Sequence, residues 1–136
     1  MNSPSDNITG LRLMQLMLDP EIEIITCIFD MHNFMFYNIS YSCEKILGYT
    51  KAEMINQTLE KFIHKKDYER SLDEARKNKD SESLPGVFIN RYIHKNGKTV
   101  RLIWISIGTN KDKSISIGIP FNFLVDNFKM FYDKEN

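Results

Sequence analysis

The chain has 136 residues, with 18 Lys and Arg against 18 Asp and Glu, so its formal net charge at pH 7 is zero. This length and a content of 42% apolar and 26% charged residues predict one folded domain with a hydrophobic core. Proteins that bind nucleic acids or anionic membranes need a surplus of basic residues, and the balanced charge therefore argues against both partners.

The cysteines and the N-terminal residues predict a cytoplasmic protein. Cys27 and Cys43 are too few for a disulfide framework, and Cys27 lies in an apolar run typical of a small buried residue. The first residues lack the basic start and apolar core of a signal peptide, and no apolar run has the length of a membrane span. We therefore expect a cytoplasmic location, reduced thiols and no membrane association.

The N-terminal segment predicts an amphipathic helix over residues 3–18. Leu11, Met14 and Leu18 recur at helical spacing, and Pro20 ends the helix because the residue before a proline is pushed out of the α region. This apolar stripe can pack on its own domain or on a second copy of the chain, and the residues leave both alternatives open.

Two strands and a series of helices follow. Ser40 is predicted to cap a helix that ends at Gly48 in a left-handed conformation, and Thr50 with Glu53 forms a capping box. Asp67 is predicted to cap a longer helix. The predicted ranges are 23–30 and 34–38 for the strands, then 40–47, a helix from residue 50, one helical turn at 59–63, and a helix at 68–77.

The C-terminal half alternates apolar and polar residues with the period of strands. Asn96-Gly97 predicts a two-residue type I′ turn, because this turn needs positive φ at both positions. That turn would pair Tyr92 with Arg101 and place the Arg101 side chain over the Tyr92 ring. The three predicted strands are residues 87–95, 99–108 and 114–120.

The order of elements predicts an α+β fold with one five-stranded antiparallel sheet and helices on one face. Several segments then resemble the PAS domain family, over about residues 23–120. They are Phe29-Asp30 through Tyr37-Asn38, Ile46-Leu47-Gly48-Tyr49-Thr50 with Glu53, Phe62-Ile63-His64 with Asp67, and Asn90-Arg91-Tyr92 through Lys95-Asn96-Gly97 with Trp104. The resemblance implies the strand order 2-1-5-4-3 and helices that close over a small cavity.

The resemblance also bears on cofactors. Flavin photoreceptors of this family carry a reactive cysteine where this chain has Leu59, and haem-binding members carry a histidine on the long helix, where this chain has none. Covalent flavin photochemistry and haem are therefore not expected, and the ligand itself stays unknown. His32, His64 and His94 lack the spacing of a metal site, and no catalytic motif is present, so we expect neither a metal nor an enzyme.

The resemblance implies a sensory and protein-interaction domain in signal transduction, similar to those of bacterial histidine kinases in two-component systems and of transcriptional regulators. We expect it to relay the binding of a ligand or partner through the packing of a homodimer to an effector protein or a downstream output domain. The alternatives are a ligand-free assembly module and, with no supporting motif, a small enzyme. The expected pocket residues are Ile28, Phe36, Tyr49, Phe62, Arg91, Tyr92 and Trp104.

The chain is expected to divide into three parts: a flanking helix at 1–22, a sensor core at 23–121 and an aromatic helix at 122–136. Large apolar residues recur at helical spacing in both flanking segments, which predicts that these segments dock on the sheet or on a second chain. The expected dimer-interface residues are Leu11, Met14, Leu18, Leu124, Phe128 and Phe131.

Overall fold

The structure is a computed structural model. It describes the backbone of residues 4–79 and 86–133 and the side chains of residues 10–77 and 86–127. Five strands and six helical segments make up this part of the chain. They are α1 (Pro4–Leu18), β1 (Ile25–Asp30), β2 (Met35–Ile39), α2 (Cys43–Leu47), α3 (Lys51–Met54), a 3-10 turn (Leu59–Lys61), α4 (Lys65–Lys79), β3 (Val87–Ile93), β4 (Thr99–Asn110), β5 (Lys113–Pro120) and α5 (Phe121–Asp133).

All strand pairs are antiparallel, and the sheet has the order β2-β1-β5-β4-β3. This confirms the α+β class and the strand order. Helices α2 to α4 and the 3-10 turn pack on one face of the sheet, where fully buried side chains from both layers meet and remove their apolar surface from water. The largest of these core side chains include Phe36, Leu47, Met54, Phe62 and Leu102.

Local capping signals act at α2 and α3 largely as predicted. Gly48 ends α2 with φ +79°, and Thr50 and Glu53 form the expected capping box at α3. The prediction for Ser40 is wrong, because α2 begins later and the Ser40 hydroxyl is buried beneath β1. There it accepts a hydrogen bond from the Thr26 backbone N–H at 3.0 Å, so it provides a hydrogen-bond partner for strand β1 and does not cap a helix.

The predicted capping role of Asp67 is also wrong. Helix α4 begins at Lys65, which places Asp67 inside its first turn. The Asp67 carboxylate instead accepts hydrogen bonds from Arg91 of β3, a residue far away in the sequence. The backbone N–H and the guanidinium of a strand residue thus bind the carboxylate that the local sequence assigns to the helix end.

The hairpin between β3 and β4 differs from the prediction by one residue. Tyr92 pairs with Val100, so the connection has three residues, Lys95 to Gly97, instead of two. Only Gly97 in this loop has positive φ, at +91°, and its N–H donates to the carbonyl of His94 at 2.8 Å. This matches a type I turn followed by a left-handed residue, the usual geometry of three-residue hairpins.

The changed register gives Arg101 new neighbours. Arg101 lies opposite Arg91 rather than Tyr92, and its guanidinium lies over the Phe121 ring, 5.5 Å from the centroid. Because side chains alternate along a strand, Arg101 is on the opposite face of β4 from buried Leu102. The predicted stacking of Arg101 on Tyr92 is therefore wrong, and α5 begins on the sheet face opposite the core.

Candidate functional site

A cavity of about 100 Å³ lies between the inner face of the sheet and helix α4. Exposed Gly86 and half-buried Glu74 belong to its lining, which places its mouth at the end of α4 and the start of β3. The lining residues are Cys27, Phe29, Met31, Phe36, Leu59, Ile63, Ser71, Glu74, Ala75, Gly86, Phe88, Asn90, Tyr92, Trp104, Ser106, Ser114 and Ser116.

Four rings, from Phe29, Phe36, Tyr92 and Trp104, form what we call the aromatic wall. The Phe36 ring lies 5.9 Å from Phe29, 6.5 Å from Tyr92 and 6.2 Å from Trp104, measured between centroids. These tilted and edge-on contacts are the arrangements that aromatic side chains prefer. The wall is therefore held by the mutual packing of rings from four strands, β1 to β4.

Asn90 links the aromatic wall to helix α4. Its Oδ1 accepts a hydrogen bond from Trp104 Nε1 at 2.9 Å, and its Nδ2 donates to Ser71 Oγ at 3.1 Å. Ser71 Oγ in turn donates to the backbone carbonyl of Asp67 at 2.7 Å. The chain of bonds fixes the orientation of the Trp104 indole, because a buried amide or indole N–H is costly to leave without a partner.

Three serines form a second polar strip on β4 and β5. Ser106 Oγ lies 2.9 Å from Ser114 Oγ, which lies 3.2 Å from Ser116 Oγ. Ser114 and Ser116 share a face because side chains two residues apart on a strand point the same way. The cavity thus has polar groups on a wall that is otherwise apolar, a combination typical of small-molecule sites.

The hydroxyl of Tyr92 stands apart from both networks. The Tyr92 side chain is only 3% exposed and lines the cavity, and within the described ranges no hydrogen bond involves its hydroxyl, although the fully buried side-chain oxygen without a partner there is Thr26 Oγ1 and not that of Tyr92. Burial raises the pKa of this phenol well above its ordinary value, so the hydroxyl is protonated at neutral pH.

Both cysteines are free and buried, as predicted for Cys27. Cys27 lines the cavity, and burial raises the pKa of its thiol to about 12. Cys43 lies outside the lining, where its thiol donates to the carbonyl of Tyr49 at 3.3 Å and burial raises its pKa to about 11. Neither thiol forms an appreciable amount of thiolate at neutral pH, which makes both poor nucleophiles.

The structure brings three of the expected pocket residues, Phe36, Tyr92 and Trp104, to the cavity wall. Ile28 is not in the lining, because its neighbours on β1 face the cavity and alternation turns Ile28 to the other side. The other three outside the lining are Tyr49, Phe62 and Arg91.

These three outlying residues have other roles. Tyr49 and Phe62 pack edge to face at 5.0 Å within the core. Arg91 was expected at the pocket, but its guanidinium is bound to Asp67 at 2.7 Å. Its charge is therefore already neutralised by a carboxylate of the protein.

Sequence reasoning missed the polar part of the wall. Only the family resemblance points to Asn90, and the sequence predictions assign no role to Ser71, Ser106, Ser114 or Ser116. One signal was available for Ser114 and Ser116, since they alternate with isoleucines along a strand in a predicted core. Small polar residues on the inward face of a buried strand indicate space or a polar network there.

The expected interface residues lie in different environments. Leu11, Met14 and Leu18 of α1 are 58%, 60% and 61% exposed. Leu124 of α5 is half-buried. The side chains of Phe128 and Phe131 lie outside the described residues.

In the part of the chain that the structure covers, no helix combines the length and the apolarity needed to cross a membrane. Within the same ranges, no three His, Cys, Asp or Glu side chains are grouped so that they could hold a metal ion.

Comparison with protein families gives a match to the PAS domain over residues 4–122. A search of curated proteins gives no match. Among solved structures, the fold is similar to a domain of a sensory box sensor histidine kinase/response regulator from Geobacter sulfurreducens, with 12% identity, a TM-score of 0.69, and coverage of 87% of this chain and 99% of that chain.

Two further solved structures are similar in fold. The PAS domain of an HTR-like protein from Haloarcula marismortui is 16% identical with a TM-score of 0.61, and the match covers 86% of this chain and 95% of that one. The PAS domain of the RpfR quorum-sensing receptor from Cronobacter turicensis, in complex with C12:0, is 15% identical with a TM-score of 0.64, and 74% of this chain and 96% of that chain are covered.

Proposed function

This chain belongs to the PAS domain family, whose members are sensory domains in signalling, and we propose that it senses a small molecule bound in the cavity. The observation that carries this proposal is the wall itself, which combines aromatic rings with hydrogen-bonding groups around a space of about 100 Å³. The RpfR PAS domain, similar in fold, has been solved in complex with C12:0, which supports the binding of a small molecule by a domain of this fold.

The volume limits the size of the ligand. An apolar cavity of about 150 Å³ holds a benzene molecule, whereas drug-sized ligands occupy pockets of roughly 300–1,000 Å³. The cavity of about 100 Å³ is smaller than both, so it holds a few ordered waters as it stands and admits a single ring only after the side chains of its wall relax slightly. Larger cofactors require the wall to move.

Trp104 offers a route from the cavity to the C-terminal helix. A Cβ added at Gly118 of β5 would lie 2.7 Å from the Trp104 ring, so the indole packs directly on the backbone there. Strand β5 continues into α5 at Phe121 without a loop. A ligand that displaces Trp104 thus acts on β5 close to the start of α5 and shifts the balance between two packings of that helix.

The junction between β5 and α5 affects this route from Trp104 to the C-terminal helix. Pro120 ends this strand, and a proline there lacks the N–H that donates to a neighbouring strand and can bend the chain. In the structure, Pro120 still pairs with Leu102 at the end of the strand, and α5 begins at the next residue. A direct strand-to-helix junction supports transmission through α5.

A second element of the proposal is a homodimer that uses α1. Its exposed stripe of Leu11, Met14 and Leu18 is separate from the half-buried Leu13, Leu16 and Met17, so α1 has apolar residues on two faces. A second copy covers such a stripe symmetrically, since the same patch is present on both chains. This exposed stripe also favours the alternative function of a ligand-free assembly module.

Native mass spectrometry of the purified full chain tests the sensory function. We expect a non-covalent mass that is lost on denaturation. Ala75→Leu, which adds side-chain volume to the cavity lining, should abolish it, whereas Ala52→Leu on the exposed side of α3 should not. The assembly module would be favoured instead if the wild-type protein is a dimer without a bound mass and if Ala75→Leu behaves like the wild type in every binding assay.

A further inference from the structure

The hydrogen-bonding capacity of the cavity wall is unevenly used. The Asn90 carboxamide already bonds Trp104 and Ser71, and the serine strip bonds internally. The Tyr92 hydroxyl, on a side chain that is 3% exposed and lines the cavity, makes no hydrogen bond within the described ranges. Because a hydroxyl that faces an apolar cavity gains free energy from a hydrogen-bond partner, an occupant that bonds Tyr92 is favoured over one that does not.

The charges around the cavity select against ions. Glu74 is the one charged side chain in the described lining, which contains no Lys, Arg or His. An anion would therefore lose its hydration in an apolar space with no counter-charge and with a carboxylate nearby. A cation would find its single counter-charge at the mouth rather than against the wall.

The aromatic wall favours a ring in the interior. The Tyr92 and Trp104 centroids are 5.8 Å apart, and Phe36 lies within 6.5 Å of both. Rings in this arrangement present both faces and edges, so a further ring can add edge-to-face contacts with them. The cavity of about 100 Å³ is smaller than the cavity of about 150 Å³ that holds benzene, so one ring with a small substituent is the upper limit of size, and the side chains of the wall must shift slightly to admit it.

We propose that the ligand of this cavity is an uncharged molecule with one aromatic ring and one oxygen or nitrogen group that hydrogen-bonds the Tyr92 hydroxyl. This inference rests on the proposed sensory function, since it names the ligand class of the same site. The protonated hydroxyl can donate to a carbonyl or accept from a hydroxyl or amide, so both kinds of substituent qualify.

Matched probe molecules test the ligand class on the wild-type chain. Trp104 is the only tryptophan, so its indole N–H resonance reports binding at the wall without overlap. We expect phenol to bind about tenfold more tightly than toluene, which lacks the hydroxyl, and more tightly than cyclohexanol, which lacks the ring. Benzamide should bind at least about tenfold more tightly than either benzoate or benzylammonium.

A conservative variant then tests the role of Tyr92. Tyr92→Phe should weaken phenol binding about tenfold and leave toluene binding unchanged, whereas Tyr37→Phe, on an exposed side chain, should change neither. Equal binding of phenol and toluene, or preferred binding of benzoate or benzylammonium, would overturn the ligand class but leave the sensory function standing. If no probe shifts the Trp104 resonance and no bound mass is found, both proposals fail.

Discussion

Asp67 of α4 and Arg91 of β3 are joined by three hydrogen bonds. The carboxylate accepts from Arg91 Nη2 at 2.7 Å, from Arg91 Nε at 2.9 Å and from the Arg91 backbone N–H at 2.7 Å. The Asp67 side chain is 7% exposed, whereas that of Arg91 is 34% exposed. This pair fastens the helix that covers the cavity to the edge of the sheet.

Replacing Asp67 should destabilise the protein more than replacing another aspartate of the same helix. Asp67→Ala removes an acceptor for a backbone N–H and a bidentate guanidinium, and we expect a loss of roughly 1–2 kcal/mol in the free energy of unfolding. The control is Asp73→Ala, whose exposed pair with Arg76 should contribute less than about 0.5 kcal/mol. Urea unfolding at neutral pH measures both values, and equal losses would contradict the role given to Asp67.

The stability should fall in acid for two identified reasons. Hydrogen bonding to Arg91 lowers the pKa of Asp67 below the ordinary 3.8, and hydrogen bonding to Lys95 lowers the pKa of Glu53 from 4.5 to about 2. The contribution of each carboxylate to the free energy of unfolding is therefore fully present above about pH 5. It is lost as the pH falls toward the lowered pKa values. The difference in unfolding free energy between wild type and Asp67→Ala should narrow between about pH 5 and pH 3 in urea unfolding. Parallel curves would show that Asp67 is not stabilised as an anion.

Alanine substitutions at three glycines distinguish the cost of a positive φ from the cost of a steric collision. Gly48 has φ +79° and an added Cβ would collide with the His94 ring, Gly97 has φ +91° with open space, and Gly108 has neither restriction. Thermal unfolding should therefore rank Gly48→Ala as the most damaging at roughly 2–3 kcal/mol, Gly97→Ala at about 1 kcal/mol, and Gly108→Ala within about 0.5 kcal/mol. Adding His94→Ala should recover part of the Gly48→Ala loss; no recovery would refute the collision with the ring.

The α1 stripe should control self-association. Leu11→Ser with Met14→Ser should shift the protein toward monomer, because the change removes apolar surface that a second copy covers. Gln15→Ser, at an exposed polar position of the same helix, is the matched control. Size exclusion with light scattering measures the mass, and an unchanged dimer in the double variant would exclude α1 as an interface.

Sequence reasoning succeeded where the signal was local. Gly48 and the pair Thr50 and Glu53 act within one helical turn, so their residue types determine the local conformation. These caps depend on neighbours in the chain and need no knowledge of distant contacts. The order of the strands, which pairs β1 with the distant β5, was predicted correctly from the family resemblance.

The failures involve competition between local and distant partners. Asp67 has the residue type of a helix cap, yet Arg91 takes its carboxylate after the sheet and helix come together. The Asn96-Gly97 turn favours two hairpin geometries that differ by one residue, and this difference decided which face of the sheet Arg101 occupies. The polar wall of the cavity was missed for a similar reason, since Asn90 meets Ser71 and Trp104 only in the folded chain.

The measurement that tests the central claim most directly is the detection of nuclear Overhauser effects between bound phenol and the isotope-labelled full chain. The account predicts contacts from the phenol ring protons to the rings of Phe36 and Trp104, and their loss in Ala75→Leu. Contacts confined to the exposed stripe of α1, with none to the aromatic wall at saturating phenol, would contradict the claim that this cavity is a ligand site.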